Sequence, residues 1–213
     1  MLRIAIADDH QLFRKSLKLL IDSFGEMQVV LEAANGKELL ENLNTAEVDI
    51  LLLDLQMPTM NGFQTIPAIN KAYPEIKILV LTSLSEKETI KAILGLEVQG
   101  YFTKDADPNE LKEAILKLHQ HGFYLEKKLA SIIETQVENQ ANALVFSDRE
   151  KEIIRLILKE YSGKEIGNEL NISPRTVEKH KYNLMAKTSS KNFIGVVVYV
   201  FTQGVIPIEE LKI

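Results

Sequence analysis

"ILLLDLQMPTMNG" runs from Ile50 to Gly62 and decides how the rest of the chain is read. Four apolar residues lead straight into Asp54, so a segment composed for burial ends in a carboxylate. Removing an ionised carboxylate from water is costly unless it gains a partner, so Asp54 must reach solvent, a cation or another polar group.

Similar runs lie on either side. Strands are expected at "LRIAIA" (2–7), "QVVLEA" (28–33), "DILLLD" (49–54), "IKILVLT" (76–82) and "VQGYFTK" (98–104). Between them, Leu12, Leu17, Leu20 and Ile21, then Leu39, Leu40 and Leu43, recur at helical spacing. A parallel crossover needs a helix to return the chain, so five such repeats imply an α/β unit, a doubly wound parallel sheet covered on both faces. A further helix over 108–120 closes the unit, with Asp107 as N-cap and Pro108 at its first position.

The chain has 213 residues, 46% of them hydrophobic, and no cysteine. Disulfides and thiolate metal sites are therefore excluded. The start lacks the long apolar middle of a secretory signal, and no uncharged apolar run could span a bilayer, so a soluble cytoplasmic protein is expected. Charge is uneven: residues 1–122 carry 12 Lys+Arg against 18 Asp+Glu, and residues 147–213 carry 11 against 9. Such asymmetry points to two halves with different partners.

"VENQANALVF" (137–146) breaks the periodicity and is read as linker, which gives domains at 1–122 and 147–213 with a connecting segment over 123–146. The second domain opens on a capping box, Ser147 with Glu150, ahead of Ile153, Ile154, Leu156 and Ile157. A second box, Ser162 with Glu165, starts a short helix to Leu170. Asn171 then turns the chain, Ser173 caps, and Pro174 begins a longer helix to about Lys187. Two helices so closely joined make an all-α helix-turn-helix. "FIGVVVYVF" (193–201) is ambiguous: its β-branched residues favour a strand, while a helix this apolar must be buried on most sides, as in a dimer contact.

Ligands of open parallel sheets collect beyond the carboxyl ends of the strands. Those ends carry Asp8 and Asp9, Asp54, Thr82 and Ser83, and Lys104. With strand order 2-1-3-4-5, which is flavodoxin-like, these groups converge on one rim. Three clustered carboxylates repel, and a hard divalent cation with oxygen ligands, Mg²⁺, is the natural remedy. Asp54 could then act as nucleophile toward a phosphoryl group, with Lys104 and the Thr82 hydroxyl on its oxygens. His10, beside the acids, reads as a polar residue at a helix start rather than a ligand.

The order Asp8-Asp9, "DLQMPTMNG", "LTS" and "GYFTKD" resembles the receiver domain of bacterial two-component response regulators over residues 1–122. The resemblance implies that Asp54 accepts phosphate from a sensor histidine kinase. It also implies that Asp9, Asp54 and the Gln56 carbonyl ligate Mg²⁺, with Asp8 assisting through water. Thr82 and Tyr101 would form the switch pair, and Ser83 and Lys104 would face the phosphate. Residues 147–206 resemble the LuxR/NarL-type DNA-binding domain, which together with the receiver is the pattern of the NarL/FixJ class. That implies a transcription regulator, not an enzyme, binding double-stranded DNA as a phosphorylation-induced homodimer.

The charge of the second helix agrees. Arg175, Lys179, Lys181, Lys187 and Lys191 face one acid, Glu178. Arg, Lys and the Ser173 and Thr176 hydroxyls suit phosphate contacts. Glu178, Lys179 and Tyr182 stand where the family faces the major groove. Gly167 replaces a usual Ala, at about 0.5–1 kcal/mol in a helix interior, and Thr188 a usual Leu. A phosphohydrolase using an aspartyl phosphate is the rival; those enzymes carry the nucleophile in D-x-D on the first strand, whereas Asp8 and Asp9 are adjacent.

Overall fold

A computed structural model describes residues 1–83, 95–105, 107–125, 144–159 and 161–206. These fall into two compact units, the first ending at Tyr124 and the second taking up the chain from Leu144 onward.

In the first unit β1 (Leu2–Ala7), β2 (Met27–Ala33), β3 (Ile50–Asp54), β4 (Lys77–Thr82) and β5 (Gly100–Thr103) alternate with α1 (Gln11–Ser23), α2 (Gly36–Asn42) and α3 (Gly62–Ala72). Then follow α4 (Pro108–His121) and β6 (Tyr124–Leu125). The expected helix between β4 and β5 lies mostly outside the described residues. The order is β2-β1-β3-β4-β5-β6, and the four pairings that join the first five strands are parallel. The expected order 2-1-3-4-5 is thus present, and β6 adds a two-residue edge, anchored where the Tyr124 amide donates to the Gln99 carbonyl (2.9 Å).

Every residue of β3 is buried, as are Ile4 to Ala7 and Ile78 to Thr82. Central parallel strands lose water from both faces and so read as continuous apolar runs rather than alternating ones. Helix α4 covers them with Leu111, Ala114, Ile115 and Leu118, one face at helical spacing, and α1 with Leu17 and Ile21. Leu12 departs from the expected pattern. It shares the helical period but is 82% exposed, because the stripe set by Leu17 and Ile21 points elsewhere.

The second unit contains α5 (Asp148–Leu158), α6 (Gly163–Leu170), α7 (Pro174–Lys187) and α8 (Phe193–Thr202). Both expected capping boxes form: the Ser147 and Ser162 side chains accept from the amides of Glu150 and Glu165, whose carboxylates accept in return. Asn171 takes the left-handed conformation (φ 53°), which Asn tolerates better than most residues. A Cβ on Gly167 would lie 2.7 Å from the Ile172 carbonyl oxygen, so the missing side chain lets this turn close. Thr188 Oγ1 donates to the Leu184 carbonyl (2.9 Å) and lies 2.8 Å from Ser190 Oγ, so a hydroxyl finishes α7. "FIGVVVYVF" is helical. Its Ile194, Val196, Val197 and Val200 are buried, and that tertiary burial overrides strand propensity. Phe146, placed in the linker by composition, packs against Tyr199 with ring centroids 6.1 Å apart.

Candidate functional site

The sheet delivers its polar residues to one rim. β1 stops at Ala7 and releases Asp8 and Asp9; β3 ends in Asp54, β4 in Thr82, and β5 one residue before Lys104. The Lys104 amide donates to the Thr82 carbonyl (2.9 Å), which carries the β4–β5 pairing to the rim. From there Lys104 Nζ lies 2.6 Å from Asp54 Oδ2 and 2.7 Å from Asp8 Oδ2. Both carboxylates are buried, Asp8 at 0% exposure and Asp54 at 4%.

Their other oxygens are held by the backbone. Asp8 Oδ1 accepts from the His10 amide (2.8 Å) and Asp54 Oδ1 from the Gln56 amide (3.1 Å). Burial presses the Lys104 ammonium toward neutrality, but the hydrogen bonds and charge of Asp54 and Asp8 outweigh it and raise its pKa above the ordinary value. The Phe13 ring lies 5.1 Å from Nζ, within cation–π range. Arg14 donates to the Asp8 carbonyl and approaches Glu32 (3.7 Å), bracing the β1–α1 loop from behind.

Single donor atoms of Asp8, Asp9, His10 and Asp54 all lie within 4.8 Å of one another. Three carboxylates against one ammonium leave a formal charge of −2, which one divalent cation balances. Carboxylate oxygens are what Mg²⁺ takes, so the residues present fit it. Thr82 is buried on the same rim, Tyr101 is 1% exposed with its ring inward, and Ser83 stands exposed just past β4. Phe13, Arg14 and the His10 ring were not anticipated; their place in "DDHQLFR", one turn or less from the acids, was the available signal.

In the helical unit Ser173 caps α7 by accepting from the Thr176 amide (3.1 Å), and the two hydroxyls lie 2.8 Å apart. Arg175, Glu178 and Lys179 are exposed, and Tyr182 is 69% exposed. Two expected DNA contacts are already engaged. Lys181 donates to Glu178 Oε1 (2.9 Å). Lys187 Nζ donates to Glu150 Oε2 (2.6 Å) and lies 4.8 Å from the Phe146 ring centroid, so this base ties α7 to α5. For Glu150, burial pushes the pKa up, but hydrogen bonds from Lys187 and Ser147 win and hold it below its ordinary value.

Known families match both units. Residues 4–116 match the response regulator receiver domain, and residues 144–200 match the luxR family of bacterial regulatory proteins. The oxygen regulatory protein NreC of Staphylococcus epidermidis is 32% identical over 209 residues, 93% of this chain and 96% of its own; NreC of Staphylococcus aureus is 32% identical over 208. Among solved structures, the response regulator ChrA of a heme-sensing two-component system shares 29% identity with a TM-score of 0.54, covering 96% of this chain and 98% of ChrA. A complex of the two-component response regulator RcsB with DNA shares 25% identity with a TM-score of 0.59, covering 94% and 98%.

The chain belongs to the two-component response regulators that join a receiver domain to a LuxR-type DNA-binding domain. It is a phosphorylation-responsive transcriptional regulator rather than an enzyme. Receiver domains generally bind Mg²⁺ at this acidic pocket. Among the described residues, no helix is long and apolar enough to cross a membrane.

Proposed function

We propose that Asp54 accepts a phosphoryl group from a sensor histidine kinase and that the resulting acyl phosphate changes DNA binding by the helical unit. The observation that carries this reading is the approach of one ammonium, Lys104, to both Asp54 (2.6 Å) and Asp8 (2.7 Å), beside Asp9. A carboxylate oxygen of Asp54 attacks phosphorus as the bond to the donor imidazole breaks. Lys104 moves its hydrogen bond from the carboxylate to a phosphoryl oxygen, and the Thr82 hydroxyl donates to another. Asp9, Asp54 and the Gln56 carbonyl would hold Mg²⁺, with Asp8 assisting through water, and the ion would supply charge neutralisation on the transferring group. Thr82 and Tyr101 transmit the change as a shift between two pre-existing arrangements.

Arg175, Lys179, Ser173 and Thr176 position α7 on the DNA backbone, while Glu178, Lys179 and Tyr182 reach base edges. Lys181 and Lys187 join the phosphate contacts only if they give up Glu178 and Glu150. RcsB is described as dimers bound to DNA, which supports paired half-sites and a homodimer here. The chain works in the cytoplasm, where kinase and DNA meet.

The test is acetyl phosphate with Mg²⁺, read by mass spectrometry and by DNA binding. The native chain gains one phosphoryl group and binds DNA more tightly; Asp54→Asn gains none and keeps its basal affinity. Equal labelling of Asp54→Asn, or equal DNA response, overturns the assignment.

A further inference from the structure

His10 was read as a residue that merely starts a helix, and its geometry says otherwise. It occupies the N-cap position of α1, yet its side chain makes no capping hydrogen bond; its backbone amide donates to Asp8 Oδ1 and its carbonyl accepts from the Arg14 amide. The ring turns to the acids instead, with Nδ1 3.0 Å from Asp9 Oδ1 and 3.4 Å from Asp8 Oδ1. At 70% exposure it stands at the mouth of the pocket, where a cation enters.

Two donors on neighbouring corners of an octahedral ion with bonds of about 2.1 Å are about 3.0 Å apart, and opposite corners about 4.2 Å. Nδ1 and Asp9 Oδ1 already stand at the neighbouring-corner spacing. The four donor atoms all lie within 4.8 Å of one another, against about 4.2 Å between opposite corners. An imidazole nitrogen adds little for Mg²⁺, a hard ion that prefers oxygen and keeps its waters, but much for a borderline first-row transition cation.

Resting on the reading of this pocket as a divalent-cation site, we propose that His10 Nδ1 is a metal ligand and that the pocket therefore takes transition cations in preference to Mg²⁺. Neutral imidazole leaves the site charge at −2, so one divalent ion still balances it. Cation selectivity is then set by a residue outside the acidic set.

The experiment is calorimetric titration of the full chain with Co²⁺ and with Mg²⁺, for the native protein, His10→Ala, His10→Gln and Asp54→Asn. Pulsed electron paramagnetic resonance of the Mn²⁺-loaded native protein and His10→Ala reports directly on a bound nitrogen. The native chain should prefer Co²⁺, and both His10 variants should lose about tenfold in Co²⁺ affinity while Mg²⁺ affinity stays within about twofold. Nitrogen hyperfine coupling to Mn²⁺ should be present in the native protein and absent in His10→Ala. Equal losses for both cations, no loss of Co²⁺ affinity, or no nitrogen coupling overturns the role of His10 and leaves the cation site standing. Unchanged affinity for both cations in Asp54→Asn overturns the site itself, and the inference with it.

Discussion

Each unit contains an ammonium 2.6 Å from a buried or half-buried carboxylate with an aromatic ring alongside: Lys104 on Asp54 with Phe13, and Lys187 on Glu150 with Phe146. Locally the two are nearly the same motif. They differ in what surrounds them. Lys187 answers one carboxylate and the account closes, so the pair fastens α7 to α5. Lys104 faces two carboxylates with a third, Asp9, close by, and the surplus negative charge calls for a cation. It is the imbalance, not the pair geometry, that separates a site for chemistry from a structural clasp.

The strongest way to break the comparison is to remove the cation from each. Lys104→Met leaves Asp8 and Asp54 buried side by side, and uncompensated buried charge costs about 3 kcal/mol. Urea unfolding in the absence of divalent ions should show that loss, and added Mg²⁺ should recover part of it. A Mg²⁺-independent loss would mean that no cation shares the charge of Lys104.

Lys187→Met should cost less, about 2 kcal/mol, because a single charge-assisted hydrogen bond and a ring contact are removed and Glu150 can turn to water. Added Mg²⁺ should change nothing here. The pair also carries a pH signature. The folded-state pKa of Glu150 is lowered, so its stabilisation is fully present above the ordinary value of 4.5 and is lost as pH falls through the folded value. Unfolding midpoints of the native chain and Lys187→Met should therefore converge below about pH 4.5. A constant gap at all pH values would exclude Glu150 as the partner.

Exposed Lys179 is the counter-case. Lys179→Ala should leave stability within about 0.5 kcal/mol and reduce the salt dependence of DNA binding by about one counterion. Lys187→Met should leave that slope unchanged if the lysine stays on Glu150. A slope lowered equally by both substitutions would show that DNA draws Lys187 away.

This difference explains what the sequence revealed and what it hid. The pocket was legible because strand ends, parallel order and residue chemistry converge on the same rim: Asp8, Asp54, Thr82 and Lys104 each end a run whose period is plain. Capping boxes were legible because Ser147 with Glu150 and Ser162 with Glu165 are local. Glu150 also holds Lys187, 37 positions away, and nothing local announces it. The helix over Phe193–Thr202 was hidden by its Val residues, whose propensity yields to burial. Leu12 followed the helical period onto an exposed face, since period alone does not say where the core lies. His10 was hidden because a polar residue at a helix start has an ordinary explanation, and it is the folded β1–α1 loop that turns its ring to the acids.

The smallest effect tests the same contrast in the backbone. Asn171, in the helical unit, and Thr59, in the loop after Asp54, both adopt left-handed conformations, at φ 53° and 67°. Asn does so at little cost, whereas a β-branched residue is strained there. Thr59 is exposed and can lose its side chain without opening a cavity. Thr59→Gly should therefore stabilise the chain by about 1 kcal/mol, even after allowing for the greater freedom of glycine in the unfolded state. The same change at Asn171 should be close to neutral or slightly destabilising, because little strain is relieved. Thermal unfolding of the two variants decides it: stabilisation at Thr59 alone places the strain in the loop after Asp54, and equal shifts at both positions would remove the distinction.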